Sequence, residues 1–247
     1  MMDSIIQLSP IIAHRGARSL APENTLAAMQ KAKALGAEWV EFDVMLTVDG
    51  EAIVIHDTRL DRTTNGVGEV GETTYKEILK LDAGSWFSSE YKKEKIPGFS
   101  EMLKCLIDLE LIPNVEIKPY PGQDNKTALV VMETIHKLWP KTAPKPLISS
   151  FSIESLRVAR SLDPHVPIGI VCTEINFDWK KLAEELNAIS VHVCEKNLNA
   201  DLIHAIKSTG RYVLSYTINN LASGKKLFSE GVDAIFTDDL PTFSEYL

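Results

Sequence analysis

Short apolar runs alternate with longer amphipathic stretches from one end of the sequence to the other. Alternation of this kind predicts βαβ units, in which parallel strands are joined by helices that cover the sheet. The predicted strands are Ile11–Ala13, Trp39–Leu46, Ala52–His56, Asn114–Lys118, Pro146–Ser150, Pro167–Cys172, Ile189–Val193, Tyr212–Thr217 and Ala234–Thr237. The predicted helices include Asn24–Leu35, Lys126–Leu138, Ile153–Ser161, Ala200–Thr209 and Leu221–Glu230.

The number of strands favours a closed barrel over an open sheet. Asp49-Gly50 is a hairpin turn signal, so Ala52–His56 is predicted to return antiparallel on the second strand. The eight remaining strands match a TIM-type (β/α)8 barrel, and 247 residues is a common length for one. An open doubly wound sheet would usually carry a glycine-rich phosphate fingerprint after its first strand, where this chain has His14-Arg15-Gly16. We therefore predict an α/β fold with one barrel domain over residues 1–247.

The region from Asp57 to Ser100 interrupts the alternation. It is rich in threonine, glycine and charged residues, and it carries Trp86 and Phe87. Loops of this length are usually functional or partly folded. We predict a small insertion at about residues 57–100, after the hairpin and beside the barrel mouth; an ordinary long surface loop is the alternative.

Two predicted strands carry acidic residues on one face. Because side chains alternate between the faces of a strand, Glu41 and Asp43 lie opposite apolar neighbours, and Glu116 shares a face with Lys118. In a barrel, these polar faces would point inward near the C-terminal mouth. Buried carboxylates are costly unless they are paired or bind a metal, and three of them suit one hard cation, Mg²⁺ or Ca²⁺. A solvated acidic face on an edge strand is the alternative.

Two histidines lie where predicted strands end, which is where barrel enzymes place their chemistry. His14 ends the first strand and His56 ends the hairpin return. Cleavage of a phosphodiester needs one group to activate the nucleophile and one to protonate the leaving alkoxide, and histidine suits both roles. Arg15 and Lys118 are candidates to neutralise phosphate oxygens. An isolated histidine is more often structural or solvated, and we interpret the others in that way: His136, His165, His192 and His204.

Composition restricts the partners and the compartment. The formal net charge of −8 disfavours a broad nucleic-acid-binding surface, so a phosphate-bearing ligand would need a local cluster of cations. Cys105, Cys172 and Cys194 are odd in number and far apart, which predicts buried thiols in a reducing compartment. The first ten residues lack the features of a signal peptide, and no stretch is apolar enough to cross a bilayer. We predict a cytoplasmic protein without stable membrane insertion.

The ordered motifs resemble those of the glycerophosphodiester phosphodiesterase family, most closely the cytosolic bacterial members. The first motifs are His14-Arg15-Gly16, Pro22-Glu23-Asn24-Thr25, Glu41-x-Asp43-Val44-x-x-Thr47-x-Asp49-Gly50 and His56-Asp57. They continue with Leu60-x-Arg62-Thr63-Thr64-Asn65-Gly66-x-Gly68, Ile96-Pro97, Glu116-Ile117-Lys118, Tyr216-Thr217-Ile218-Asn219 and Gly231-Val232-Asp233-Ala234-Ile235-Phe236-Thr237-Asp238. Each motif alone is a weak signal, but the ordered set covers nearly the whole chain and is highly specific.

The resemblance implies a TIM barrel that hydrolyses glycerophosphodiesters to glycerol 3-phosphate and an alcohol with the help of a divalent cation. It implies metal ligation by Glu41, Asp43 and Glu116, acid–base roles for His14 and His56, and phosphate contacts from Arg15 and Lys118. Cytosolic members of the family usually tolerate different alcohols, so the implied partner is a small glycerophosphodiester.

Three further motif residues have other expected roles. The family often has tryptophan where this chain has Tyr216, a position that resembles a wall of the substrate cavity. Asn24 is predicted to cap the first helix. Glu23 is interpreted as a helix-start charge or as a partner of a site residue, with the structural interpretation favoured.

Two alternative functions remain open. A related barrel could cleave phosphoinositides or act like a phospholipase D, but the small insertion and the missing membrane-binding segment favour a small soluble substrate. A barrel that only binds a phosphorylated ligand would be expected to have lost a metal ligand or a histidine, and none is lost.

Overall fold

The computed structural model describes residues 6–175 and 177–247, which form a closed barrel of eight parallel strands with helices outside. Strands that follow one another in sequence are neighbours in the barrel, and the first strand closes it by pairing with both the second and the last. A further short strand pairs antiparallel with the second, as the Asp49-Gly50 signal predicts. The predicted TIM-type barrel is therefore confirmed.

The strands are β1 (Ile11–His14), β2 (Trp39–Leu46), β3 (Ala52–Val54), β4 (Ile112–Ile117), β5 (Leu147–Ser150), β6 (Ile168–Cys172), β7 (Ser190–Cys194), β8 (Tyr212–Tyr216) and β9 (Ala234–Thr237). The α-helices are α1 (Leu26–Ala34), α2 (Tyr75–Ile78), α3 (Phe99–Asp108), α4 (Asp124–Leu138), α5 (Ile153–Leu162), α6 (Trp179–Glu185), α7 (Ala200–Lys207) and α8 (Leu221–Glu230). Short 3₁₀ segments lie at Val70–Glu72, Ser89–Tyr91, Glu195–Asn197 and Leu240–Tyr246. Among the described helices, none has the length and apolarity needed to cross a membrane.

Apolar residues form a layer outside the barrel and a plug inside its lower half. Phe42 on the outward face of β2 packs in the large buried cluster that joins the strands to the helices. The opposite face of β2 begins with Trp39, which lies with Ile12 in a separate apolar cluster. Further along the same inward face come Glu41 and Asp43. The apolar plug therefore supports a polar upper half, where the acidic residues lie.

The segment 57–100 is partly folded and packs against the hairpin. Its apolar cluster joins Met45 and the β3 side of the barrel to residues of the segment: Leu60, Val70, Ile78, Ala83 and Ile96. Helix α2 begins at a capping box in which Thr74 and Glu77 bond reciprocally. The bounds of the insertion and the single-domain interpretation stay predictions.

Two local predictions are wrong. Strand β3 ends at Val54, so His56 lies beyond it; the amide of Ile55 still donates to the Asp43 carbonyl oxygen at 3.0 Å before the chain leaves the sheet. The cap of α1 is Thr25 rather than Asn24, because the Thr25 hydroxyl accepts from the Ala28 amide at 3.2 Å.

Helices α2, α3 and α6 have no counterpart among the predicted helices. Helix α2 lies inside the predicted insertion, α3 begins inside it, and α6 is short. The cysteine prediction is also only partly right. Cys172 is buried, whereas Cys105 and Cys194 are partly exposed, and all are free thiols. On α3 the buried stripe runs through other residues, which leaves Cys105 at its edge.

Candidate active site

The polar upper half of the barrel opens into a cavity of about 220 Å³ at the C-terminal ends of the strands. Every residue that the sequence assigns to the site lines this cavity. The lining residues are His14, Arg15, Glu41, Asp43, His56, Asn114, Glu116, Lys118, Ser149, Phe151, Val171, His192, Tyr216, Thr217 and Phe236.

The three acidic residues meet on neighbouring strands. Glu41 and Asp43 are on β2, and Glu116 lies opposite Asp43 on β4. One carboxylate oxygen of each lies within 4.8 Å of the others. The Arg15 amide donates to Glu41 Oε2 at 3.0 Å, and Asn24 Nδ2 donates to Asp43 Oδ2 at 3.0 Å. Asn24 therefore orients an acidic residue of the site instead of capping a helix.

The electrostatics of these acids fit a set of cation ligands. Burial raises the pKa of Glu41 well above its ordinary value, and the charges of Asp43 and Glu116 raise it further. Burial and Asp43 also raise the pKa of Glu116 to about 8. Burial acts to raise the pKa of Asp43, but Arg15 and Lys118 outweigh it and hold that pKa below its ordinary value. Oxygen ligands that repel one another in this way fit a divalent cation such as Mg²⁺ or Ca²⁺.

Each candidate catalytic histidine bonds an aspartate through the same ring nitrogen. His14 Nδ1 lies 2.6 Å from Asp238 Oδ1, and His56 Nδ1 lies 2.6 Å from Asp57 Oδ1. An ionised aspartate accepts the Nδ1 proton, so it favours the neutral tautomer whose Nε2 is free to accept a proton. Burial lowers the pKa of both rings below the ordinary value, although nearby aspartates act in the opposite direction.

Arg15 and Lys118 place positive charge beside the acidic residues. Arg15 is only 8% exposed, and its Nε lies 3.4 Å from Asp43 Oδ2. Lys118 Nζ lies 3.7 Å from Asp43 Oδ1. Within the described parts of the chain, the buried Nε of Arg15 has no hydrogen-bond partner. Arg15 lines the cavity, so its guanidinium places positive charge there for an anionic ligand.

Tyr216 lines the cavity at the end of β8. Its hydroxyl donates to the Cys172 carbonyl oxygen at 2.9 Å, which fixes the ring. The ring meets Phe151 edge to face, with 6.2 Å between centroids, and Phe151 is 49% exposed. This pair forms an aromatic rim; the contact of Tyr216 with a substrate stays a prediction.

Some residues around the cavity escaped the sequence reasoning. His192 on β7 lines the cavity, where burial lowers its pKa to about 3, so it is not one of the solvated histidines. Its inward position follows from strand alternation, and its Nε2 lies 2.9 Å from Ser190 Oγ on the same face. Asp238 directly follows β9, and the end of a strand is also the position that made His14 a candidate. A single acidic residue in a loop, however, is a weak signal of a functional site.

Comparison with known proteins identifies the family. The family model for the glycerophosphoryl diester phosphodiesterase family matches residues 14–242. A glycerophosphodiester phosphodiesterase of Caldanaerobacter subterraneus subsp. tengcongensis is 37% identical over 94% of this chain and 95% of that protein. A glycerophosphodiester phosphodiesterase of Bacillus subtilis is 35% identical over 92% of this chain and 82% of that protein.

A solved structure agrees with the sequence comparisons. It is an Oleispira antarctica phosphodiesterase in complex with the product sn-glycerol-3-phosphate. It matches with a TM-score of 0.93 and 35% identity, over 98% of this chain and 96% of that chain. The ordered motifs, the barrel and these relatives agree, and the chain therefore belongs to the glycerophosphoryl diester phosphodiesterase family of phosphoric diester hydrolases.

Proposed function

We propose that the protein hydrolyses glycerophosphodiesters to glycerol 3-phosphate and an alcohol with the help of one divalent cation. The observation that carries this proposal is the meeting of an acidic triad, two histidine–aspartate pairs and two cationic side chains at one cavity. The relatives support it, since they are named for this reaction and the Oleispira antarctica enzyme holds its product.

Glu41, Asp43 and Glu116 would hold the cation. When bound, the cation would supply positive charge that orients the substrate and offsets the negative charge developing on the phosphate. Both Mg²⁺ and Ca²⁺ take oxygen ligands, so the triad is compatible with either.

The two histidines would move the two protons of the reaction. Because each Nδ1 is bonded to an aspartate, each ring has Nε2 left for the reaction; Nε2 of His14 lies 3.9 Å from Glu41 Oε2. One Nε2 would take the proton of the attacking hydroxyl group, which belongs either to water or to the glycerol of the substrate. The other ring, in its protonated form, would give a proton to the departing alkoxide.

Arg15 and Lys118 would bind the phosphate oxygens. Both side chains line the cavity beside Asp43, in a protein whose net charge of −8 otherwise repels anions. A fixed guanidinium and a fixed ammonium group stabilise the charge that grows in the transition state. Unlike water molecules, they do not have to reorient when that charge develops. We propose a small soluble glycerophosphodiester as the substrate, and the cytoplasmic location stays a prediction.

The alternatives have less support. A barrel that only binds a phosphorylated ligand has no need of two positioned histidines beside a metal triad, and both histidines line the cavity here. Cleavage of phosphoinositides or phospholipids has no support from these relatives, which are named for the cleavage of glycerophosphodiesters.

An assay of the purified protein with glycerophosphocholine tests the proposal. We expect glycerol 3-phosphate and free choline in the presence of Mg²⁺ or Ca²⁺, and no product in excess chelator. Choline release distinguishes this reaction from cleavage on the other side of phosphorus, which would release phosphocholine and glycerol. Asp43→Asn, which removes one charge from the triad and keeps its shape, serves as the inactive control. Full activity of the metal-free protein would contradict the metal-dependent mechanism.

A further inference from the structure

Glu23 is a buried carboxylate that contacts three arginines. It is 4% exposed and lies in the loop between β1 and α1. Its Oε1 accepts hydrogen bonds from Arg15 NH1 and Arg62 NH2, each at 2.8 Å. Its Oε2 accepts from Arg62 NH1 at 2.8 Å and lies 3.0 Å from Arg18 Nε. This pattern goes beyond a helix-start charge, which needs only backbone amides.

One arginine links Glu23 to the pair His56–Asp57. Arg62 NH2, which bonds Glu23, also donates to Asp57 Oδ1 at 3.1 Å. The same Asp57 oxygen bonds His56 Nδ1. A chain of charged contacts therefore runs from the buried carboxylate to one of the two candidate acid–base groups.

A second arginine links Glu23 to the pair His14–Asp238. Arg18 contacts Glu23 through Nε, and its NH1 lies 3.4 Å from Asp238 Oδ1, the oxygen that bonds His14. Asn219 Nδ2 holds the other oxygen of Asp238 at 3.0 Å. The contact between Arg18 and Asp238, at 3.4 Å, is therefore longer than the 3.1 Å contact between Arg62 NH2 and Asp57 Oδ1.

The charge of Glu23 is what allows three guanidinium groups to lie so close together. Burial acts to raise the pKa of Glu23, but Arg62, Arg15 and Arg18 outweigh it and lower the pKa to about 2. The carboxylate is therefore ionised near neutral pH. Without it, three positive groups would repel one another around a buried position, and their side chains would move apart.

We propose that Glu23 is a positioning residue that holds Arg15 and both histidine–aspartate pairs in the arrangement needed for catalysis. Glu23 does not line the cavity, so it would act only through the arginines. The inference rests on the proposed function, because the groups that it positions have their roles in that reaction. Small displacements of catalytic groups lower turnover more than substrate binding, since the geometry matters most in the transition state.

The test compares Glu23→Gln with the wild-type protein on glycerophosphocholine. Gln keeps the size of the side chain but removes its charge. We expect kcat to fall about 10–100-fold, as is typical when an outer partner of a metal site is lost. We expect KM and the affinity for Mg²⁺ or Ca²⁺, measured by titration calorimetry, to change much less than kcat, because the substitution leaves the cation ligands themselves in place. Glu23→Asp keeps the charge and should recover part of the lost turnover.

Glu94→Gln is the matched control. Glu94 is a partly buried glutamate, and its Oε1 accepts from the Ala27 amide at 3.3 Å near the start of α1. It lies outside the network of arginines, so its variant should retain wild-type kcat. A purely structural role for Glu23 would lower the unfolding temperature and leave kcat per metal-binding molecule unchanged.

Two further variants each cut one branch of the network. Arg62→Met and Arg18→Met remove side chains that are 41% and 30% exposed, so the fold should tolerate them. Each should lower kcat less than Glu23→Gln does. Combining Arg62→Met with Glu23→Gln should cost less than the product of the single losses, because both act on one network.

The outcomes separate the inference from the proposed function. Wild-type kcat in folded Glu23→Gln, with an active wild-type enzyme, would overturn the inference alone. If Glu23→Gln does not fold, wild-type kcat in both arginine variants would overturn it. A wild-type protein that hydrolyses no glycerophosphodiester would overturn the proposed function, and the inference with it.

Discussion

Arg15 serves the candidate active site through its backbone as well as its side chain. Its φ of 55° lies in the left-handed region, which few residues other than glycine adopt. In this conformation its amide donates to Glu41 and its guanidinium bonds Glu23. Strained backbone of this kind is common where a site needs a defined geometry and the surrounding contacts can hold it.

The first prediction concerns the charge of Arg15. Arg15→Ala should lower kcat about 10²–10³-fold, the cost of losing one fixed donor that stabilises transition-state charge. Steady-state kinetics with glycerophosphocholine measures this loss. Arg157→Ala removes an arginine on α5 that pairs with Glu154 and Glu185, and it should leave kcat unchanged. If Arg15→Ala raised KM and left kcat intact, Arg15 would be a binding residue only.

The second prediction concerns the two histidines. His14→Ala and His56→Ala should each lower kcat about 10²–10⁴-fold while the cation still binds, because one positioned acid or base contributes that much. The double variant should lose less than the product of the two, since the histidines act together.

The leaving group can assign the two roles. A nitrophenyl ester of glycerol phosphate has an acidic alcohol that hardly needs protonation, so it should restore turnover to the variant that lacks the general acid. It should not restore the other variant. Near-normal kcat of both single variants on glycerophosphocholine would show that neither histidine takes part in proton transfer.

At the scale of elements, the loop between β1 and α1 brings the histidine and the arginine into place. Gly16 has a φ of 80°, and a Cβ there would lie 2.7 Å from the Ala28 side chain and 2.8 Å from its backbone. The loop therefore packs directly on the first turns of α1. The sequence His14-Arg15-Gly16 can form this close contact only because the third residue has no side chain.

The third prediction separates this close packing from backbone strain. Gly122→Ala is the control, because its φ is 79° and the added Cβ would meet nothing within 4 Å. Gly16→Ala should lower the free energy of unfolding by about 1–3 kcal/mol more than Gly122→Ala does, which is the usual cost of overpacking. Urea denaturation of both variants measures the difference. Equal losses would mean that the loop moves aside without cost.

The acidic triad could be predicted because its signal is local. Strand alternation places Glu41 and Asp43 on one face of β2. The number of predicted strands indicates a closed barrel, and in that barrel Glu116 lies opposite Asp43. The contact between His14 and Asp238 joins residues 224 positions apart, so only the closed barrel reveals it. The arginines of the Glu23 network come from the first loop and from the segment 57–100, whose path no periodic pattern describes.

At the scale of the whole molecule, the charged side chains around the cavity carry a net negative charge that one divalent cation would neutralise. Six carboxylates and four basic side chains lie in and around the cavity, which leaves two negative charges in excess when every carboxylate is ionised and the histidines are neutral. The carboxylates are Glu23, Glu41, Asp43, Asp57, Glu116 and Asp238, and the basic residues are Arg15, Arg18, Arg62 and Lys118. One divalent cation would neutralise this excess, which supports the proposed metal site.

The raised pKa values make the stability of the metal-free protein depend on pH. Burial and Asp43 raise the pKa of Glu116 from 4.5 to about 8, and the pKa of Glu41 is also raised. Between these values the folded state binds more protons than the unfolded state, so stability falls as pH rises. His14 and His56 have lowered pKa values and act in the opposite sense, but only below the ordinary histidine pKa of 6.5. The glutamates therefore dominate from pH 6.5 to about 8.

The last prediction is that thermal stability in chelator falls from pH 6.5 to about 8, and that the cation reverses this trend. Cation binding needs deprotonated carboxylates, so its affinity should rise with pH over the same range. At a hundred times its dissociation constant, the cation should add about 2.7 kcal/mol to the free energy of unfolding. Glu116→Gln, which cannot titrate, should flatten the pH dependence in chelator. A metal-free wild-type protein whose unfolding temperature rises across this range would show that the triad does not hold protons in place of a cation.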